Sequence, residues 1–339
     1  MRVHHSNFIN GTPLLAFGLA VFFAVAPATA QTKIRVGYSV VPIHLAPLIF
    51  NDKNLAKNQG KVYTTDLLHF RGSAHQLTAL AAGELDLAVL AFSTFAAGIV
   101  NAKQDLVAVA DVAQDGPEFS TVYAVKSDSP IKSVKDLKGK VLAINAKGGA
   151  VDMAARVVML KNGLRPGLDV NIVEARFGAM EAMLRQGKTD VAVFLAPFWP
   201  KAQKAGGVRV LFHQRDGLGT TQFLLYAAKR DFVEKNRAAL VAWMEDYIRG
   251  VNWLLDPENR DAAIAKAAAY TKRKPEMFTS WAFLKGKDYH HSRDGKIDIA
   301  ALQSNIDVLK EQKILRSSVN AGKLVDHSIA NEALKRLSK

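Results

Sequence analysis

Apolar residues fall in short blocks of two kinds along the chain, and the kinds alternate. Residues 33–40 (KIRVGYSV) alternate apolar and polar positions, as a half-buried strand does. Residues 85–90 (LDLAVL) are nearly continuous, as expected of a strand covered on both faces of a parallel sheet. Similar blocks predict strands at 62–70, 106–111, 121–125, 141–145, 170–174, 190–194 and 208–212. Helical spacing falls between them. One stretch passes through Ala46, Pro47, Leu48 and Ile49, and another carries Leu77, Leu80 and Ala81 before breaking at Gly83. Others cover 151–161, ending at Gly163, and 180–186. From Asp231 the chain turns helical. Leu240, Trp243, Met244, Tyr247, Ile248, Val251 and Leu255 keep one stripe and read as core. Asp256-Pro257 caps and starts the next helix, and Asp298 begins another with Leu302, Ile306 and Leu309 on one face. Strand, small polar turn, helix is the signature of an α/β fold. It sets helix N-termini at the carboxyl ends of strands, where ligands sit and free N–H groups favour anions.

One phrase occurs twice. Residues 80–90 (LAAGELDLAVL) are echoed by 184–194 (LRQGKTDVAVF), each with Gly at a helix end and Asp before an apolar strand. Two lobes of one plan explain the echo. The first crossing between them is expected near 111–120, where Gln114-Asp115-Gly116-Pro117 has turn chemistry, and the return within 214–222. The lobes are accordingly placed at 31–115, 116–218 and 219–339, the last rejoining the first. Ser73, Ser93 and Thr94 are positioned to cap the helices that follow them.

Composition narrows the class. A hydrophobic fraction of 49% with 22% charged residues belongs to a soluble globular chain, and 339 residues suffice for two α/β lobes. In residues 1–30 Arg2 is the one charged side chain, and an apolar run over 14–25 leads to Ala28-Thr29-Ala30. This reads as a signal peptide cleaved after Ala30, which implies export to the periplasm. Cysteine is absent, so neither disulfides nor thiol chemistry contribute. The formal charge of +14, about +13 without Arg2, is spread among Asp and Glu with no Lys/Arg block. It fits an anionic small molecule, not nucleic acid. Gly-x-Ser-x-Gly, His-Glu-x-x-His and Walker patterns are missing. His290 and His291 are adjacent and point apart, which disfavours a metal site. No cofactor is implied.

The leader, KIRVGYSVVPIHLAPLIF, HFRGSAHQLTALAAGELDLAVLAFSTFAAG, IKSVKDLKGKVLAIN, QGKTDVAVFLAPFW and YAAKRDFVEKN follow one another in order. Together they resemble the periplasmic substrate-binding proteins of ABC importers, in the nitrate, sulfonate and taurine branch that also includes binders of thiamine pyrimidine precursors. The resemblance implies a type II periplasmic-binding-protein fold, two α/β lobes joined by two crossover strands in a Venus-flytrap arrangement. It implies a ligand in the cleft and a membrane permease as partner of a monomeric receptor. Position by position, the family's cleft falls on Val41, Pro42 and His44, on Gly72, Ser73 and Ala74, and on Ser93 and Thr94. In the second lobe it falls on Lys147, Gly148, Gly149 and Ala150, on Phe198 and Trp199, and on Gln222 at the return crossing. Arginine is missing from these turns, and Lys147 is their one cation, which disfavours a bidentate clamp.

Each candidate also has an ordinary structural role: caps for the hydroxyls, turn dihedrals for Gly148 and Gly149, packing for Phe198 and Trp199, a solvated turn for Lys147. The function expected is that of a non-enzymatic receptor capturing a small organic anion, sulfonate-, nitrate- or taurine-like or an aromatic carboxylate, by lobe closure. A pyrimidine-precursor binder, a sensor-coupled receptor and an exported enzyme on the same two-lobed fold are the alternatives. A cysteine-dependent transferase of the porphobilinogen deaminase kind is excluded by composition.

Overall fold

The computed structural model describes residues 31–339 together with Met1; the leader expected over residues 1–30, with its cleavage after Ala30, otherwise falls outside the described residues. The chain begins with β1 (Thr32–Tyr38), α1 (Ala46–Ile49), β2 (Tyr63–His69), α2 (Ser73–Ala81), β3 (Ala88–Ala91), α3 (Phe92–Val100) and β4 (Leu106–Asp115). It continues through β5 (Val122–Lys126), β6 (Val141–Ile144), α4 (Ala150–Lys161), β7 (Asn171–Glu174), α5 (Phe177–Arg185), β8 (Val191–Phe194), α6 (Phe198–Ala205) and β9 (Val208–His213). The short α7 (Arg215–Leu218) leads into β10 (Thr221–Lys229), and α8 (Arg230–Lys235), α9 (Arg237–Leu254), α10 (Arg260–Thr271), α11 (Ile299–Glu311) and α12 (Ser328–Leu337) follow.

The two lobes repeat one sheet. In the second, the strand order is β7-β6-β8-β5-β9, with β6 parallel to its neighbours and β5 antiparallel to β8 and β9. In the first, β1 pairs parallel with β2, and β10 lies antiparallel between β3 and β4. Strand β1 reaches the β3 side through bonds from the Gly37 N–H to the Leu87 carbonyl and from the Leu87 N–H to the Arg35 carbonyl, 2.9 and 3.0 Å. The resulting order, β2-β1-β3-β10-β4, matches the other lobe strand for strand. In both, the first antiparallel strand, β10 or β5, is the one that has crossed over from the opposite lobe.

The sequence echo has a structural cause. Gly83 and Gly187 end their helices with φ of +75° and +70°, a left-handed turn that glycine adopts without strain. Asp86 then accepts the Arg35 N–H (2.8 Å) and donates its own N–H to the Arg35 carbonyl (2.9 Å). Asp190 makes the same two-way bond to Val141, 2.8 Å in each direction. Each aspartate therefore fastens the start of its lobe's third strand to the first.

Several boundaries differ from expectation. β4 runs on to Asp115 because Val112 and Ala113 are buried and pairing with β10 continues to Thr221 opposite Asp115, so the crossing occupies 116–121. A turn of helix, α7, interrupts the expected return segment, and Gln222 belongs to β10. Phe198 and Trp199 open α6 where a loop was expected. Pro197 is its N-cap and Pro200 falls in its first turn, where no intrahelical N–H is required. Ser73, Ser93 and Thr94 do not cap. α2 starts on Gly72 and α3 on Ala91, and all three hydroxyls lie inside the helices without a side-chain cap bond.

Residues 283–298 pass back across the crossing strands. The Asp111 carboxylate accepts from Ser292 N–H (2.8 Å) and Gln222 Nε2 (2.7 Å), and burial pushes it up to about 7. Among the described residues no helix is long and apolar enough to cross a membrane.

Candidate functional site

Construction of the site starts at a missing side chain. Gly37 lies in β1, and a Cβ there would come 2.1 Å from Gln76 Oε1. Its absence lets α2 bring Gln76, fully buried, against the sheet, where Oε1 accepts the Val89 N–H at 2.7 Å. Gln76 faces a narrow cavity of about 50 Å³ walled by Ser39, Val40, Ile43, His44, Gly72, Ser73, Val89, Asn145, Gly149, Ala150, Val151, Phe177, Leu195, Phe223 and Leu224. Both lobes contribute. No side chain on this wall carries a fixed charge.

Two helices start at that wall, one from each lobe. α2 has Gly72 as N-cap and α4 has Gly149, and neither has a side-chain cap. A helix leaves its first N–H groups without intrahelical partners, with partial positive charge at that end. With glycine at both caps, those of Ser73 and Ala74 and those of Ala150 and Val151 stay available to a ligand. Asp152, in the same turn of α4, is fully buried and tied to the Gly148 N–H (2.8 Å) and Arg156 Nε (2.9 Å), so its charge is offset.

His44 adds a neutral donor. Its Nδ1 accepts the Ser39 N–H at 3.2 Å, which leaves the proton on Nε2. Burial, with His291 and His69 nearby, pushes its pKa down to about 3. The folded state thus resists protonation of a group that titrates near 6.5 when unfolded. Its contribution is present above pH 6.5 and is lost as pH falls toward 3. Asp111, Asp288 and Asp115, pushed up by burial to about 7, 7 and 6, act oppositely: their contribution is present below pH 4 and lost as pH rises through 6 to 7. Comparing variants isolates the histidine. Between pH 7 and 5, His44→Gln is expected to lose about 2 kcal/mol less stability than the wild type. Denaturant midpoints at the two pH values check this, and parallel curves would contradict it.

The lobes also bond directly. Ser93 Oγ and Thr94 Oγ1 both donate to the Gly148 carbonyl of the other lobe, at 3.3 and 3.2 Å, and Ser73 Oγ lies 3.0 Å from Thr94 Oγ1. The double variant Ser93→Ala/Thr94→Ala removes this latch. It is expected to weaken solute binding by about 1–2 kcal/mol through faster release. Unchanged dissociation kinetics would show that the latch contributes nothing to closure.

A second, more open chamber of about 280 Å³ adjoins the first and shares Ser39 and Val40 with it. Tyr38, Val41, His69, Pro197, Phe198, Tyr270, Thr271 and Arg273 complete its wall. Phe198 stacks on Phe177 of the inner cavity, ring centroids 6.2 Å apart.

Of the residues singled out from the sequence, His44, Gly72, Ser73, Gly149 and Ala150 line the inner cavity, and Val41 and Phe198 the outer. Pro42 is buried beside them and Ala74 follows in the first turn of α2. Ser93, Thr94 and Gly148 form the latch instead of the wall. Lys147 is exposed, with its N–H on Glu174 Oε1 (2.7 Å), and lines neither cavity. Trp199 is buried against Phe194. Gln222 spends its side chain on Asp111, the Leu224 carbonyl and the Asp298 N–H, within the crossing. His291 bonds the Val112 carbonyl at 2.6 Å, and among the described residues no cluster of three His, Asp or Glu is placed to hold a metal ion. Sequence reasoning missed Gln76, Asn145, Phe177 and Arg273. Gly37 was the one signal for Gln76, since glycine inside a strand marks close approach.

A family model described as the NMT1-like family matches residues 28–269. Over 223 residues the chain is 28% identical to an aliphatic sulfonates-binding protein of Escherichia coli strain K12, covering 64% of this chain and 65% of that protein, just under two thirds of its length. The fold superimposes on the periplasmic nitrate-binding protein NrtA from Synechocystis PCC 6803 with a TM-score of 0.71 at 14% identity, covering 91% of this chain and 89% of that one. A desulfurization enzyme, DszB, matches with a TM-score of 0.62 at 13% identity over 91% of this chain and all (100%) of that one. The fold is that of the periplasmic binding proteins, and it also occurs in an enzyme.

Proposed function

Because the chain belongs to the NMT1-like family, we propose that it is a periplasmic solute-binding component of an ABC importer, closing two lobes on a small organic anion and delivering it to a membrane permease. The observation that carries this reading is the pair of uncapped helix N-termini, one per lobe, facing one cavity. An acid group between them gains N–H donors and two favourable helix ends without any arginine. The rest of the wall, with Phe177, Leu195, Phe223 and Leu224, suits a hydrocarbon or aromatic body. Relatives that bind aliphatic sulfonates and nitrate support an oxyanion as the recognised group. Contacts from both lobes favour the closed state over the open one, so binding and closure are one equilibrium.

The same wall argues against catalysis. It holds no carboxylate or lysine, and a histidine held near pKa 3 is a poor proton carrier at neutral pH. One further reading has its own support: three phenylalanines around the two chambers suit a neutral pyrimidine of the thiamine-precursor kind. Thermal melts with butanesulfonate, nitrate, benzoate and a neutral aminopyrimidine separate the readings. A ligand at one hundred times its Kd stabilises by about 2.7 kcal/mol, a readable shift. Stabilisation by an anion is expected. A response to the pyrimidine alone would replace the anion with that second reading.

A further inference from the structure

Partly buried arginines in this fold spend their guanidinium groups on carboxylates, as Arg35 does on Asp86, Arg156 on Asp152 and Arg249 on Asp246, or on backbone carbonyls, as Arg209, Arg215 and Arg260 do. Among the described residues Arg273 has neither kind of partner. α10 ends at Thr271, Lys272 turns the backbone into the left-handed region (φ 55°), and Arg273 lands on the wall of the outer chamber. It is half-buried, its guanidinium lies 5.5 Å from the centroid of the Phe198 ring, and among the described residues no carboxylate pairs with it. A basic residue past a helix C-terminus is ordinary. That role explains neither the position over a ring of the opposite lobe nor the missing counter-ion.

Its surroundings suit an anion. Tyr38 and Tyr270 line the same chamber with their hydroxyls 2.8 Å apart. One hydrogen bond between two hydroxyls uses one proton and leaves the other to donate. The chamber and the inner cavity share Ser39 and Val40 on their walls, and the Phe177–Phe198 stack joins a ring of one wall to a ring of the other. An acid held at the helix N-termini can therefore extend a hydrocarbon or aromatic spacer toward Arg273.

We propose that the solute carries two acidic groups, one seated between the starts of α2 and α4 and a second, carboxylate or sulfonate, at Arg273 in the outer chamber. This rests on the anion reading above and narrows it to elongated diacids. Arg273 is then the residue that sets specificity, reading the far end of the solute, and a bidentate guanidinium contact there rewards a planar carboxylate.

Calorimetry with matched pairs tests it: butanesulfonate against 4-sulfobutanoate, hexanesulfonate against 6-sulfohexanoate, benzenesulfonate against 4-sulfobenzoate. The readout is the affinity ratio within a pair, in the wild type, Arg273→Gln and Arg273→Lys, with melting curves confirming that each variant folds. At one spacer length or more, the wild type is expected to favour the sulfo-acid by about tenfold or more at low salt, less at high salt. The ratio should fall to near one in Arg273→Gln and recover in part in Arg273→Lys. A wild-type ratio near one for every pair, or the same preference in Arg273→Gln, overturns the second acidic site while leaving the anion reading standing. Failure of every mono- and diacid to bind overturns both.

Discussion

Gly149→Asp is expected to lower affinity for an anionic solute by a hundredfold or more while the protein still folds, the gain from an N-cap side chain offsetting the crowding of its Cβ against the Ala146 carbonyl. Gly149 is the N-cap of α4, with φ −76° and ψ 173°, extended backbone open to any residue. A Cβ there lies 3.2 Å from the Ala146 carbonyl and 3.9 Å from Ser73 Oγ, so the new side chain points into the space between the helix starts. Aspartate at an N-cap accepts first-turn N–H bonds and stabilises a helix over glycine by a few tenths of a kcal/mol. The carboxylate takes the place reserved for the solute's acid and repels it. A hundredfold loss corresponds to about 2.7 kcal/mol. Gly149→Asn caps without the charge and should fall between the two. Anion affinity within a few-fold of wild type in Gly149→Asp would remove the start of α4 from the site.

Trp243→Ala should do the reverse, lowering stability by about 3–5 kcal/mol. Trp243 is 1% exposed and stacks on Tyr247 (5.2 Å, 9°) and Phe50 (5.0 Å, 18°), with Tyr226 of β10 edge-on at 5.1 Å. It joins α9 to α1 and to the strand that returns from the second lobe. Its indole Nε1 has no hydrogen-bond partner, so deletion forfeits packing alone and leaves no orphaned acceptor. Trp243 lines neither cavity. The solute should therefore raise the variant's melting temperature by about as much as it raises the wild type's. Loss of that ligand response together with stability would mean that the cleft depends on this aromatic cluster.

Local pattern announced the lobes, and tertiary contact decided the site. The repeated Gly-x-x-Asp phrase was readable because it does the same work twice, a left-handed helix stop followed by a clip onto the lobe's first strand. Gly72 and Gly149 were placed in the cleft by the family resemblance, and their part as helix N-caps came from the fold. The roles of the hydroxyls were not readable. Ser73, Ser93 and Thr94 have the chemistry of caps, yet their bonds run to each other and to Gly148, far away in sequence. Gln76 looks like a polar helix position and is buried because Gly37, on another element, leaves room for it. Lys147 was the cation the turns offered, and the cation at the chamber is Arg273, more than a hundred residues later. Residues 283–298 lack any apolar period, and their contacts with Asp111 and Gln114 across the crossing strands have no local signature.

Backbone amide shifts during titration of the ¹⁵N-labelled protein with butanesulfonate test the central claim most directly. The largest changes are expected at Ser73 and Ala74 in one lobe and at Ala150 and Val151 in the other, saturating together at one stoichiometric solute that is recovered unaltered. Saturable binding that moves the amides of a single lobe, or leaves these four still, would contradict a solute held between two helix starts.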